Sequence, residues 1–227
     1  MHRQRISVLV DPLRRLLRRG AKAHATNLLS KLHAADVARL LQVLSEEESE
    51  QAFSLVLMNA EAKGIEILQQ SQAILPPAVV SDGGRIQQVV TTLLSNAVKY
   101  SDGGSVTVGL KVHTVGDEAV PADLREEYPD AEGHWQQVEI SVADQGRGIA
   151  ADQFDDLFRP FTRVEDAADA HAADSSGLGL AICKRLCEMM GGEISVESTL
   201  GVGSVFTIRI PGWLPPQSEY EGSNRLE

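Results

Sequence analysis

Val138-Glu-Ile-Ser-Val-Ala-Asp-Gln-Gly-Arg-Gly-Ile149 decides how this chain is read. Val138, Ile140 and Val142 alternate with polar or small residues, the period of a half-buried strand, and Gly146 and Gly148 end that period in a turn. The alternation puts Asp144 on the same face as the core residues, where an unpaired carboxylate is costly. Two readings follow. An exocyclic amino group of adenine would satisfy the acid, with Gly146 and Gly148 letting the backbone pass close to a flat ring. Alternatively, Asp144 ends the strand and caps a helix near Ala150, and the glycines only turn the chain.

About thirty residues after Asp144, Ser176-Gly-Leu-Gly-Leu180 opens a helix with Leu178, Ile182, Leu186 and Met189 on one stripe. Exposed amides at a helix start attract phosphate, and missing side chains admit it closely. A tight loop-to-helix joint accounts for Gly177 and Gly179 equally well. Upstream, Asp82-Gly-Gly84 leads into a long helix ending near Lys99. Ile86, Val89, Val90, Leu93, Leu94 and Ala97 form its core-facing stripe. Gln88, Thr92, Asn96 and Lys99 share a second, polar stripe. An amide oxygen beside an ammonium suits a metal bound to polyphosphate, Asn96 ligating Mg²⁺ and Lys99 meeting phosphate charge. An amphipathic helix with a solvated polar face is the other reading.

Further strand patterns are Ile65-Glu-Ile67, then Val106, Val108 and Leu110, then Ile194 and Val196, then Phe206, Ile208 and Ile210. Helices at 83–99, about 151–159 and 178–190 are interleaved with them. The fold class is α+β, a two-layer α/β sandwich in which helices cover one face of a mixed sheet and the other face is largely solvated. Thr114 to Gly133, rich in Asp, Glu and Pro, reads as a long exposed hairpin connection, and Glu165 to Asp174 is almost wholly Ala and Asp.

The N-terminal part differs in kind. Asp11-Pro12 starts a helix that Gly20 stops, segments around 21–32 and 34–44 follow, and Ser45-Glu-Glu-Glu48 has the spacing of a capping box for a helix to about Asn59. The expected division is a helical unit over 1–58, a nucleotide-binding domain over 59–212 and a tail over 213–227. Residues 1–40 hold nine Lys/Arg against two Asp/Glu, whereas the rest holds twelve against thirty, within a net charge of −11. No aromatic residue is interleaved with the N-terminal arginines, so a solvated basic helix face is favoured over a nucleic-acid site. No apolar run approaches the roughly 18 to 20 residues of a membrane span. A cytoplasmic location without direct membrane contact is expected. Cys183 and Cys187 sit four apart in a helix, without the partners of a zinc site, and read as buried thiols.

The segment from about 60 to 212 resembles the catalytic ATP-binding domain of sensor histidine kinases, within the wider gyrase, heat-shock chaperone, histidine kinase and MutL ATPase superfamily. Ala60-Glu-Ala-Lys-Gly-Ile-Glu-Ile67 is similar to its first strand and Asp82 to Ser101 to its N box. Asp144-Gln-Gly-Arg-Gly-Ile149 is similar to the G1 box, Leu157-Phe-Arg-Pro-Phe161 to the F box, Gly177-Leu-Gly-Leu-Ala-Ile182 to the G2 box, and Gly201-Val-Gly-Ser-Val-Phe206 to the last glycine motif. Leu32 to Leu41 and the acidic helix after it resemble the cytoplasmic N domain of magnesium transporters.

The kinase resemblance implies ATP and Mg²⁺ as ligands, with Asn96 on the metal, Lys99 near the phosphates and Tyr100 lining the site. It implies Asp144 on the adenine amino group, and Gly146, Gly148 and Ile149 shaping that pocket. Gly177, Leu178, Gly179 and Leu180 would frame the phosphates under a lid over about 162–176. Phe158 and Phe161 would anchor the lid, and Arg163 would reach the terminal phosphate. The catalytic set is Thr92, Asn96 and Lys99, with Thr92 standing where the family has Asn or Glu; a hydroxyl is a poor base and a weak metal ligand. Ser175 likewise replaces a usual Gly. None of the six histidines has the family's acceptor context, so transfer would go to a histidine-containing dimerisation domain in trans or outside this sequence, and on to a response regulator. The full-length parent would be a dimer. A nucleotide-binding regulatory module without phosphotransfer is the alternative, and an ATP hydrolase is disfavoured because position 92 is not acidic.

Overall fold

The computed structural model describes residues 46–76, 78–127, 134–160 and 178–214. Their regular elements are helix α1 (Glu46–Ala62), strand β1 (Ile65–Ser71), α2 (Gly83–Tyr100), β2 (Gly104–Thr114), α3 (Ala122–Glu127), β3 (His134–Asp144), α4 (Phe154–Leu157), α5 (Gly179–Met189), β4 (Glu193–Thr199) and β5 (Gly203–Leu214). Short 3₁₀ turns occupy Asp117–Ala119 and Ala151–Gln153.

The strands form one sheet in the order β1-β2-β3-β5-β4, parallel between β1 and β2 and antiparallel elsewhere. This is the mixed sheet expected from the alternating patterns, and helices cover one face. Val56 and Ala60 of α1, Val89, Leu93 and Leu94 of α2, and Cys183 and Leu186 of α5 pack with Val106, Val142 and Ile208 of the sheet in one core. Burying each such aliphatic side chain contributes about 1.5–3 kcal/mol relative to exposure.

Helix α2 starts because Asp82 accepts the Arg85 amide at 2.9 Å as N-cap, and the Arg85 guanidinium pairs with the same carboxylate at 3.2 Å. Its i, i+3, i+4 stripe then buries Val89, Leu93, Leu94, Ala97 and Val98. It ends at Ser101, whose extended backbone turns the chain toward β2.

Helix α1 crosses the division expected at 58 and 59. It runs three residues beyond the expected Asn59, and its buried Ala52, Leu55, Val56 and Ala60 face the sheet domain. Strand β5 likewise continues to Leu214, two residues past the expected domain end. The helices expected over 11–44, the transporter-like stretch before Ser45 and most of the C-terminal tail lie outside the described residues.

The connection after Thr114 corrects the expectation of a wholly exposed hairpin. The 3₁₀ turn, Val120 and α3 fold back, and Val120 is 4% exposed against Trp135 and Trp213, with Val115 and Leu124 beside them. Residues 135 and 213 are cross-strand partners, and their rings meet edge to face at 5.1 Å. The remaining open face carries a polar ladder. Lys111, Glu139, Arg209 and Glu193 stand opposite one another on β2, β3, β5 and β4. Glu139 takes Lys111 at 3.3 Å and Arg209 at 2.8 Å, and Arg209 reaches Glu193 at 3.4 Å. Burial tends to raise the Glu139 pKa, but the bonds from Arg209 and Lys111 outweigh it and hold it below the usual value.

Candidate nucleotide-binding site

Asp144 closes β3 on the core-facing side, as the alternation requires, and is half-buried. Its Oδ1 accepts the Gly146 amide at 2.9 Å. Desolvation raises its pKa above the ordinary value, and backbone N–H bonds from Gly146 and Ser204 only partly offset that rise. The helix-capping alternative is excluded: the 3₁₀ turn after Ala150 has no side-chain cap among the described residues. The acid instead faces inward with acceptor capacity left over.

The loop after Asp144 is pinned on three sides. The Arg147 amide donates to the Tyr100 carbonyl at 3.4 Å, the Gly201 amide donates to the Arg147 carbonyl at 2.6 Å, and the Ile149 amide donates to Ser198 Oγ at 2.8 Å. Gly146 and Gly148 are needed for this fit. A Cβ at Gly146 would collide with the Tyr100 carbonyl, and Gly148 adopts φ +70 against the Thr199 carbonyl. The loop therefore holds one shape.

That shape brings the loop onto the last turn of α2, which carries Asn96, Lys99 and Tyr100, all half-buried. Lys99 Nζ lies 5.1 Å and Arg147 Cζ 4.8 Å from the Tyr100 ring centroid, so two cations gather on one aromatic ring. Arg147 lies within the motif quoted first but drew no role from sequence, since nothing local indicates that its side chain meets Tyr100. Ser101, fully buried beside this turn, has a hydroxyl without a partner among the described residues.

The polar stripe of α2 is less solvated than expected. Thr92 is 0% exposed and its hydroxyl donates to the Gln88 carbonyl at 2.8 Å, while Gln88 is itself buried. Thr92 lies beside the Cys183 thiol, so α5 covers this part of the helix. The two cysteines are free and buried, as the sequence implied. Burial raises both thiols, the neighbouring Glu188 adds to the effect at Cys187, and Cys187 is pushed up to about 12.

Helix α5 begins after Leu178, which is buried, and has no side-chain cap among the described residues. Gly179 is buried and Leu180 half-buried in its first turn, and Leu180 and Ile149 pack against the same core. Phe158 is half-buried against that core too. Gly177, Phe161, Arg163 and the stretch expected as a lid lie outside the described residues. A separate apolar cavity of about 610 Å³ lies between α1, α2 and the sheet, lined by Phe53, Leu57, Ile67, Val90 and Leu94. None of the expected nucleotide residues lines it, and its apolar walls offer phosphate nothing.

The described residues contain no group of three or more His, Cys, Asp or Glu able to hold a metal ion, and no helix among them is long and apolar enough to cross a membrane. An ion here would share the ligands of a bound polyphosphate, the usual habit of Mg²⁺, and the Asn96 amide fits that chemistry.

The one-sided α+β sandwich and the pinned glycine loop define an ATP-binding catalytic domain. Residues 81–213 match the family of histidine kinase-, DNA gyrase B- and HSP90-like ATPases, and the chain belongs to that family. It is 33% identical over 157 residues to the aerobic respiration control sensor protein ArcB of Escherichia coli, covering 69% of this chain and 18% of ArcB. It is 38% identical over 137 residues to the sensor histidine kinase RcsC of the same organism, covering 60% and 12%. Among solved structures, full-length ShkA in complex with AMPPNP aligns with TM-score 0.54 and 28% identity over 84% of this chain and 37% of that one. The catalytic domain of histidine kinase ThkA shares the fold at TM-score 0.51 and 22% identity, over 72% of this chain and 90% of that one. The chain thus spans under a fifth of the two curated relatives named. It carries the ATP-binding catalytic domain of sensor histidine kinases.

Proposed function

We propose that this domain binds ATP with Mg²⁺ and transfers the γ-phosphoryl group to a histidine on a separate dimerisation domain, from which a response regulator is charged. The observation that carries the reading is Asp144: an inward-facing, half-buried carboxylate at a strand end, beside Gly146 and the Lys99–Tyr100 turn. Asp144 accepts the adenine amino group, and Gly146, Gly148 and Ile149 shape the slot for the ring. Lys99, Leu178, Gly179 and Leu180 meet the phosphates, with Gly177 and Arg163 completing the enclosure. Asn96 holds the metal, which when bound neutralises phosphate charge. The chemistry asked of the protein is chiefly positioning and electrostatic stabilisation. Thr92 acts from within α2, by holding the helix against α5, and makes no contact with phosphate.

The AMPPNP complex of ShkA supports the nucleotide assignment, since that protein is similar over most of this chain. The parent protein, on this reading, works as a dimer with this domain in the cytoplasm. The second reading, a regulatory module without phosphotransfer, is favoured by one observation: a buried hydroxyl at position 92 supplies no base.

Calorimetric titration with ADP, with and without Mg²⁺, tests the shared premise; Asp144→Ala should weaken binding, and equal binding by that variant would refute the site. Radiolabelled ATP with a separate acceptor hairpin then separates the two readings. Acid-labile, base-stable label on the hairpin is the expected result, and persistent absence of label would leave the regulatory module.

A further inference from the structure

Lys63 lies in the turn between α1 and β1, exposed to solvent, yet its Nζ donates to the Val98 carbonyl at 2.8 Å and to the Lys99 carbonyl at 3.3 Å. Those carbonyls belong to the last turn of α2, where acceptors lack intrahelical partners and a cation meets the negative end of the helix dipole. From the other side, the Arg147 amide bonds the Tyr100 carbonyl at 3.4 Å and Gly146 abuts the same oxygen. The turn bearing Lys99 and Tyr100 is thereby clamped between a lysine and the glycine loop.

We infer that Lys63 is a positioning residue for the phosphate end of the nucleotide site, an inference that rests on the nucleotide-binding reading above. Lys63 touches no ligand. It fixes the backbone from which Lys99 and Tyr100 project, and it ties the C-terminal end of α1 to that backbone. Asp144, at the end of β3, takes its bonds from Gly146 and Ser204 and none from Lys63, so adenine recognition depends on Lys63 less directly than the phosphate end does.

The test is calorimetric titration of the full chain with Mg²⁺-ADP and, separately, with adenosine, on wild type, Lys63→Met and Lys63→Arg. Lys63→Met should lower ADP affinity by about threefold to fivefold, the scale of a helix-terminal cation, while adenosine affinity stays within about twofold. Lys63→Arg, which keeps the charge and donors, should restore ADP affinity. Equal losses for ADP and adenosine would mean general loosening and overturn the inference, as would no loss for either. A wild-type chain that binds no ADP defeats the nucleotide reading itself, and that failure shows before any substitution is made.

Discussion

The guanidinium carbon of Arg147 stands 4.8 Å from the centroid of the Tyr100 ring, joining the glycine loop to the end of α2. Lys99 approaches the same ring at 5.1 Å. The aromatic ring thus gathers two cations where the glycine loop meets the end of α2. Tyr100→Ala should weaken Mg²⁺-ADP binding by about threefold to tenfold, the range of a partly desolvated cation–π contact, and Tyr100→Phe should bind nearly as wild type. Equal losses in the two variants would assign the effect to the hydroxyl and not to the ring.

Asp144 should make nucleotide affinity sensitive to acid. Its folded pKa is raised by burial, so in the free protein it protonates at a higher pH than an ordinary aspartate. Protonation removes the negative charge facing the adenine amino group and weakens the carboxyl as an acceptor. ADP affinity should therefore fall on acidification from a pH above the usual aspartate range, while the free fold, which favours the protonated acid, gains stability over the same interval. At neutral pH, Asp144→Ala should bind about tenfold to a hundredfold more weakly, as for a lost hydrogen bond to a charged group. Titrations from pH 7 to 4.5 on both proteins check this, and parallel pH profiles would count against the assignment.

The open-face ladder sets a pH dependence of the opposite sign. Glu139 has a lowered folded pKa, so its stabilisation is present above the unfolded glutamate value and is lost as pH falls through the folded one. Thermal midpoints between pH 6 and 3 should fall more steeply for wild type than for Glu139→Gln. Matching slopes would show that the contacts with Arg209 and Lys111 contribute nothing measurable.

Cys183 and Cys187 should be inert in the native state. Both thiols are buried and their pKa values raised, and thiolate is the reactive form. A disulfide-exchange reagent at pH 8 should label neither cysteine until denaturant is added, then both. Stoichiometric native labelling would place α5 on the surface.

Much of the site was legible because strand alternation and helix periodicity depend on neighbours close in sequence. Asp144 faces the core as its two-residue period requires, and α2 buries Val89, Leu93 and Leu94 as its stripe requires. What escaped depends on partners far along the chain. Thr92 belongs to a polar stripe on its own helix, and only the packing of α5, through Cys183, puts it inside. Val120 sits in an acidic connection whose composition predicts exposure, yet Trp135 and Trp213 offer it an apolar surface once β3 and β5 pair. Lys63 acts across thirty-five residues, and no local pattern distinguishes it from an ordinary surface lysine.

The paired indoles also settle how this protein can be observed. Trp135 and Trp213 are its two tryptophans, they contact each other, and they sit where the start of β3 meets the end of β5, whereas Asp144 ends β3. Nine residue steps of extended strand run from Trp135 to Asp144, roughly 30 Å at about 3.3 Å each. Intrinsic fluorescence is therefore a gauge of whether the sheet and its folded-back connection are intact, and it stays nearly silent when nucleotide arrives. Unfolding and ligand binding can be followed in one cuvette as separate signals.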